Sequence, residues 1–193
     1  MTRNGGTLAL RLIAVAVVAA LGFGGYWLFF ASKASSDVPA RVSDLEPACA
    51  SPGKYYPGND AYTGTGPRPI AVFRTGDAGF TTMEAMDLDV PAHWNSVQLA
   101  ARTVQVIACL DEPEDGEYLT ECTFESDTLK PYRGVYDVTL YEAKTGKEIG
   151  TERISGSSEP QCPSMTFTKH STDRIHTEPG TAEYRAVLGK YAD

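Results

Sequence analysis

The sequence predicts a mainly β protein: a single antiparallel β-sandwich or partly open barrel with a short C-terminal helix, preceded by one N-terminal transmembrane helix. Three observations carry this prediction. Residues 12–31 hold no charged side chain, several runs after residue 69 alternate apolar and polar residues, and all four cysteines follow the apolar segment. Strands separated by turns, with no βαβ alternation and no fixed repeat, are typical of an antiparallel architecture.

The N-terminal segment LIAVAVVAALGFGGYWLFFA, residues 12–31, is long enough to cross a membrane. At 1.5 Å per residue its 20 residues span about 30 Å as a helix, which matches the hydrocarbon core of a bilayer. Arg3 and Arg11 precede it, which favours residues 1–11 on the cytoplasmic side. A cleaved signal peptide is the alternative, because Ser32–Lys33–Ala34 offers small residues around a cleavage position.

The chain after the apolar segment divides into a tether and a folded domain. Residues 32–48 are rich in Pro, Ser and Ala, a composition typical of flexible linkers. We place the extracytoplasmic β domain at residues 49–193, because a disulfide-bonded Cys49 must belong to the fold.

Period-two hydrophobicity and turn residues define the elements of the domain. KTGK, with Gly146 suited to a positive φ, predicts a hairpin turn. Residues 181–191 have Tyr184, Val187, Leu188 and Tyr191 at helical spacing. The predicted elements are strands at 69–74, 97–110 and 118–124, a hairpin of 134–143 with 147–155, and the C-terminal helix.

Cys109 and Cys122 are predicted to form a disulfide across a hairpin of residues 103–110 and 118–124. In the register that places them opposite each other, Ile107 and Phe124 share their face, which gives an apolar cluster around the bridge. Closing such a short loop contributes on the order of 3 kcal/mol in the chain-entropy model.

Cys49 and Cys162 then pair by elimination. No CxxC occurs, and His170 and His176 follow Cys162 at a spacing that fits no zinc pattern. A nucleophilic thiol would need a base, and an exported thiol is normally oxidised. The sequence therefore predicts two disulfides, no metal site and no cofactor.

The acidic segment DEPEDGE, residues 111–117, is predicted to form a loop between two strands and to be the candidate binding surface. Its spacing does not match an EF-hand, so calcium is not expected. Replacing Asp115 and Glu117 with lysine should weaken the binding of a basic partner. The residues of this surface are Asp111, Glu112, Glu114, Asp115, Glu117 and Tyr118.

The charge balance excludes one class of partner. The chain has 17 basic and 25 acidic residues, a net charge of −8, and only two of the basic residues lie in the first 32 positions. Such a surface repels phosphate backbones, so nucleic-acid binding is not expected.

We derive three functional hypotheses from these features. The leading one is a binding domain, anchored by residues 12–31 and facing outward, that contacts a protein or cell-envelope partner. The first alternative is a structural accessory subunit of a membrane complex. The second is an extracytoplasmic hydrolase built from Asp87, Asp89 and His93. No hydrolase, nucleotide-binding or zinc-protease motif occurs, so no catalytic residue and no enzyme activity are predicted.

The motifs RPIAVF, VQVIACL…ECTF, YDVTLYEAKTGKEI and CPS resemble uncharacterised secreted or membrane-anchored domains of high-GC Gram-positive bacteria. The resemblance covers about residues 49–191. It implies a location in the cell envelope and a β architecture, and it transfers no functional residue.

Overall fold

The structure is a computed structural model that describes residues 33–50, 53–63, 65–76, 79–84, 86, 90–124, 128–160, 162–163 and 173–193. The predicted transmembrane segment, residues 12–31, lies outside these ranges. Within them, no helix is both long enough and apolar enough to cross a bilayer.

The described chain is mainly β, with one mixed sheet of eight strands, a two-stranded sheet and a C-terminal helix. Short 3-10 helices cover Val42–Cys49, Ala92–Trp94 and Ala101–Thr103, and helix α1 covers Thr181–Ala192. The strands are β1 (Lys33–Ala34), β2 (Lys54–Tyr55), β3 (Ile70–Thr75), β4 (Thr81–Met83), β5 (Val106–Leu110), β6 (Glu114–Tyr118), β7 (Cys122–Thr123), β8 (Thr128–Glu142), β9 (Glu148–Ser155) and β10 (Arg174–Thr177).

Strand β8 is the spine of the sheet, because it pairs along both of its edges. On one edge it pairs with β5, β6 and β7, and on the other with β9 and β10. Beyond β5 the sheet continues through β3 to β4. The prediction of wholly antiparallel pairing is wrong, since β3 is parallel to β5 and β10 is parallel to β8. The described residues contain no second large sheet of the kind that a sandwich requires.

The centre of the sheet is covered on both faces. One face packs Val72, Ala108 and Leu140 against α1 through Tyr184 and Leu188. The opposite face is covered by the 3-10 helix Val42–Cys49, with apolar residues from β3 and β5 beneath it. The continuous burial of VIACL in β5 follows from this arrangement, because a strand buried on both faces needs no polar positions.

The 3-10 helix corrects the predicted domain boundary. Its Val42, Leu45 and Ala48 are buried, so residues 42–48 are part of the packed domain and not of a flexible tether. These residues are three apart, which is the 3-10 period and places them on one face of the helix.

The predicted hairpin of 134–143 and 147–155 is confirmed by the antiparallel pair β8 and β9. Gly146 in its turn has φ of 68°, a conformation that L side chains rarely adopt. The predicted helix at 181–191 is confirmed as α1, and the strand at 69–74 as β3.

All four cysteines form disulfides, but the predicted partners are wrong. Cys49 pairs with Cys109, and Cys122 pairs with Cys162, with Cα–Cα distances of 5.4 and 5.7 Å. The predicted hairpin does not form, because β5 lies between β3 and β8 and cannot also pair with residues 118–124. Cys109 instead faces the 3-10 helix that ends at Cys49.

Candidate binding surface

The predicted acidic loop is largely a strand. Glu114, Asp115, Glu117 and Tyr118 belong to β6, which lies beside β8, and only the first residues of DEPEDGE form a connection. The expectation of a loop between paired strands 103–110 and 118–124 is therefore wrong. Strands β5, β6 and β7 follow one another along the same edge of β8.

The pairing register along this edge changes by one residue at three places: between β5 and β6, within β6 between Asp115 and Tyr118, and between β6 and β7. Leu110 lies opposite Val138, Asp115 opposite Gly134, Tyr118 opposite Tyr132, and Cys122 opposite Leu129. Each one-residue shift moves the following side chains to the other face of the sheet, as at a β-bulge. These shifts place Asp115 and Tyr118 on the same face although they are three residues apart.

The first half of β8, residues 128–135, pairs with β6, β7 and β10. We call these four segments together the distal arm. Two of the predicted acidic residues lie here in ion pairs within the chain. Glu114 pairs with Arg153, which is also 3.1 Å from Asp137. Asp115 pairs with Arg174, and its Oδ1 atom accepts a hydrogen bond from Nε2 of His176 at 2.8 Å.

Tyr118, Tyr132 and His176 form a row across three strands, which we call the aromatic row. Tyr118 lies opposite Tyr132, and His176 lies opposite Tyr132 on its other side. The two tyrosine ring centroids are 5.5 Å apart in an edge-to-face arrangement, and the Tyr132 and His176 rings are 6.5 Å apart. The Arg174 guanidinium lies 5.6 Å from the centroid of the Tyr132 ring.

A polar cleft of about 320 Å³ adjoins the row at His176. It has room for a small polar group or for several water molecules. Its lining residues are Pro131, Ser157, Glu159, Ile175, His176, Thr177 and Glu178.

A charged cluster joins the end of β10 to the core. Arg74 contacts Glu84 at 2.9 Å and Glu178 at 2.6 Å. Burial raises the pKa of Glu84 above its ordinary value, although the Arg74 charge opposes that shift. Burial also raises the pKa of Tyr184, and the nearby Glu84 carboxylate adds to this effect. The cluster is a set of mutually compensating charges that fixes Glu178 at the edge of the cleft.

The residues of the hydrolase hypothesis are only partly described. Asp87 and Asp89 lie outside the described residues, so their convergence with His93 stays a prediction. The Nε2 atom of His93 lies 2.9 Å from Oδ1 of Asp193, and the Trp94 indole donates to the same oxygen at 3.0 Å. His93 therefore helps to hold the end of α1 against the body of the domain.

In the described part of the chain, no group of three or more His, Cys, Asp or Glu side chains is placed to hold a metal ion. Sequence reasoning named Tyr118 and counted Tyr132 among the tyrosines of a possible contact surface, but it did not bring these two residues and His176 together. The position of His176 carries no local signal, because β10 reaches β8 only through a parallel pairing across more than 40 residues of sequence.

No protein-family model matches the chain, and no match was found among curated proteins or among solved structures.

Proposed function

We propose that the protein is a single-pass membrane protein with a cytoplasmic N-terminus and an extracytoplasmic binding domain. The pairing of all four cysteines in two disulfides is the observation that carries this proposal. Disulfides persist in oxidising compartments and are rare in the cytoplasm. The uncharged segment of residues 12–31 supplies both the export signal and the anchor.

We infer that one end of this domain lies near the membrane and the other away from it, and the sheet topology supports this inference. Strand β1 starts two residues after the apolar segment and pairs with β2, and Tyr56 donates its backbone N–H to the carbonyl of Ala143 at 2.8 Å. Ala143 follows the end of β8, so residues 33–34 and that end of β8 are neighbours. The 15 residues of β8 extend about 50 Å, and the distal arm lies at its other end.

The residues exposed on the distal arm support a binding role. The distal arm carries an aromatic row with a half-exposed Tyr118, flanked by Arg174. Tyrosine and arginine are enriched in the centres of interaction surfaces. We infer that the anchor holds the domain at the membrane and that the arm contacts the partner.

Topology and redox state test this proposal in cells that express the full chain. We expect the four cysteines to resist alkylation until a reductant is added, and a phosphatase that is active only after export to be active when fused after residue 193. A variant with two arginines introduced into residues 12–31 is the control, because it should lose membrane retention. Four alkylated thiols together with an inactive phosphatase would refute the proposal.

A further inference from the structure

The aromatic row offers apolar ring surface in a fixed geometry. Tyr118 is 49% exposed, and its ring is held edge-to-face by Tyr132. His176 is held by Asp115, and Tyr132 lies between the two outer rings. Rings that are fixed before binding lose little conformational entropy when a ligand arrives.

The charges around the row are compensated within the chain. Asp115 is bonded to Arg174 and His176, and Lys130, in the next position along that face of β8, pairs with Asp173. A charged ligand would have to compete with these pairs for its contacts. An anionic ligand would in addition be repelled by the net charge of −8. The surface therefore favours an uncharged ligand.

An uncharged ligand that fits this surface must combine flat apolar patches with many hydrogen-bonding groups. The negative face of an aromatic ring attracts weakly positive C–H groups, such as those on the flat side of a sugar ring. The solvent-facing parts of Asp115 and Arg174, with side-chain exposures of 35% and 54%, lie beside the rings and can bond to hydroxyl groups.

We propose that the aromatic row binds an uncharged glycan chain of the cell envelope. This inference rests on the proposed function, since only an outward-facing arm meets such a chain. The row crosses three strands, about 10 Å, from the half-exposed Tyr118 to His176, whose side chain is 12% exposed beside the cleft, and this distance is longer than one sugar ring. Its position at the membrane-distal end of β8 favours a polymer outside the membrane over a free sugar.

The test is a binding titration of the full chain in detergent micelles with two soluble probes, a β-1,4-linked N-acetylglucosamine tetramer and a glucose tetramer. Tyrosine fluorescence or calorimetry reports binding. We expect one tetramer to saturate the site and the matching monosaccharide to bind at least roughly tenfold more weakly, because it covers only one ring.

Three variants separate stacking from other effects. Tyr118→Ala removes the exposed ring and should weaken tetramer binding roughly tenfold, whereas Tyr118→Phe keeps the ring and should bind within about twofold of the unmodified chain. Phe80→Ala is the matched control, because Phe80 is 75% exposed but lies outside the row, after β3. Its tetramer affinity should be unchanged.

Two results would overturn the glycan proposal. One is the absence of saturable binding to both tetramers at millimolar concentration. The other is equal affinity of Tyr118→Ala and the unmodified chain. A lysine-rich peptide serves as a third probe, and its binding in place of the glycans would show that the partner is a basic protein. Because the titration uses purified protein, its failure leaves the topology experiment untouched, and the reverse also holds.

Discussion

The body of the domain and its distal arm share strand β8 but are stabilised by different forces. In the body, residues such as Ile107 and Leu140 are fully buried, and apolar layers cover both faces of the sheet. In the arm, the described strands carry mostly exposed or half-exposed residues, and ion pairs link β6, β8 and β10. A single strand can therefore begin in polar surroundings and end in a hydrophobic core.

Each region has its own disulfide, and the two have different consequences. Cys49–Cys109 joins a cover helix to a sheet that already has a core, whereas Cys122–Cys162 lies where the described residues form no apolar cluster. Small units that bury little apolar surface depend most on covalent links. The comparison thus predicts global loss of stability from damage to the body and local loosening from damage to the arm.

Removing either disulfide gives the largest expected difference between the two regions. The loops closed by Cys49–Cys109 and Cys122–Cys162 span 60 and 40 residues, so each bond contributes roughly 4 kcal/mol in the chain-entropy model. We expect Cys49→Ala/Cys109→Ala to lower the midpoint of urea unfolding of the whole domain. Cys122→Ala/Cys162→Ala should chiefly speed amide hydrogen exchange in β6 and β10. Equal exchange rates in arm and body after the second change would contradict the division.

Leu45→Ala tests whether the segment first expected to be a tether is part of the core. Leu45 is fully buried in the 3-10 helix, so truncation should cost about 3 kcal/mol of unfolding free energy, measured by urea denaturation. Val38→Ala is the matched control, because Val38 is 67% exposed and its truncation should change stability by less than about 0.5 kcal/mol. Similar small effects at both positions would support the original assignment of residues 32–48 to a flexible tether.

Gly134→Ala tests the junction between body and arm. A Cβ at this position would lie 2.6 Å from the carbonyl oxygen of Thr177 and 2.7 Å from the Tyr136 ring. Either β10 or the ring must move, which should cost about 1–3 kcal/mol. Gly58→Ala is a control, because nothing lies within 4 Å of its added Cβ. The measurement is amide hydrogen exchange in β10 and in the body. If exchange rises in the body and not in β10, the added Cβ displaces core residues, and the arm is the more rigid of the two regions.

Acidification is expected to have the smallest of these effects, a local loosening of the arm. The bond from Lys130 keeps the pKa of Asp173 below its ordinary value, so this contact stabilises the fold at neutral pH. The contribution is complete above the unfolded pKa of about 3.8 and is lost as pH falls through the lower folded value. Hydrogen exchange of residues 130–133, corrected for intrinsic rates, should therefore rise only as the pH falls below the ordinary value of 3.8, and Asp173→Asn should remove this pH dependence. A pH dependence that survives in this variant would assign it to another group.

The sequence predicted those parts of the fold that depend on local signals. The hairpin of β8 and β9 follows from alternation and from Gly146 at a turn, and α1 follows from helical spacing. It did not predict the parallel pair of β3 and β5, because the chain between them holds short 3-10 helices and no crossover α-helix in its described residues. Pairings at long sequence separation leave no mark within either strand.

The errors at the cysteines and at the candidate surface have one cause. The predicted pairing of residues 103–110 with 118–124 was consistent in register. It ignored the other strands that pair with the same edges, which are β3 and β8 in the case of β5. Cys109 is paired by a helix that looked like a linker, since Pro47 within it argues against an ordinary helix. Tyr118 was found as part of an acidic segment, but the ring that it contacts, Tyr132, comes from β8, and Tyr132 in turn contacts His176 of β10.

The length of β8 also determines how the domain would carry mechanical load. If the arm is held by a ligand and residue 33 by the membrane, tension runs along β8 from one end to the other. Its hydrogen bonds to β5 and β9 lie across that direction, so they are loaded together in shear and must break as a group. The four residues of β10 share far fewer such bonds. Under such a load we expect the arm to yield before the core.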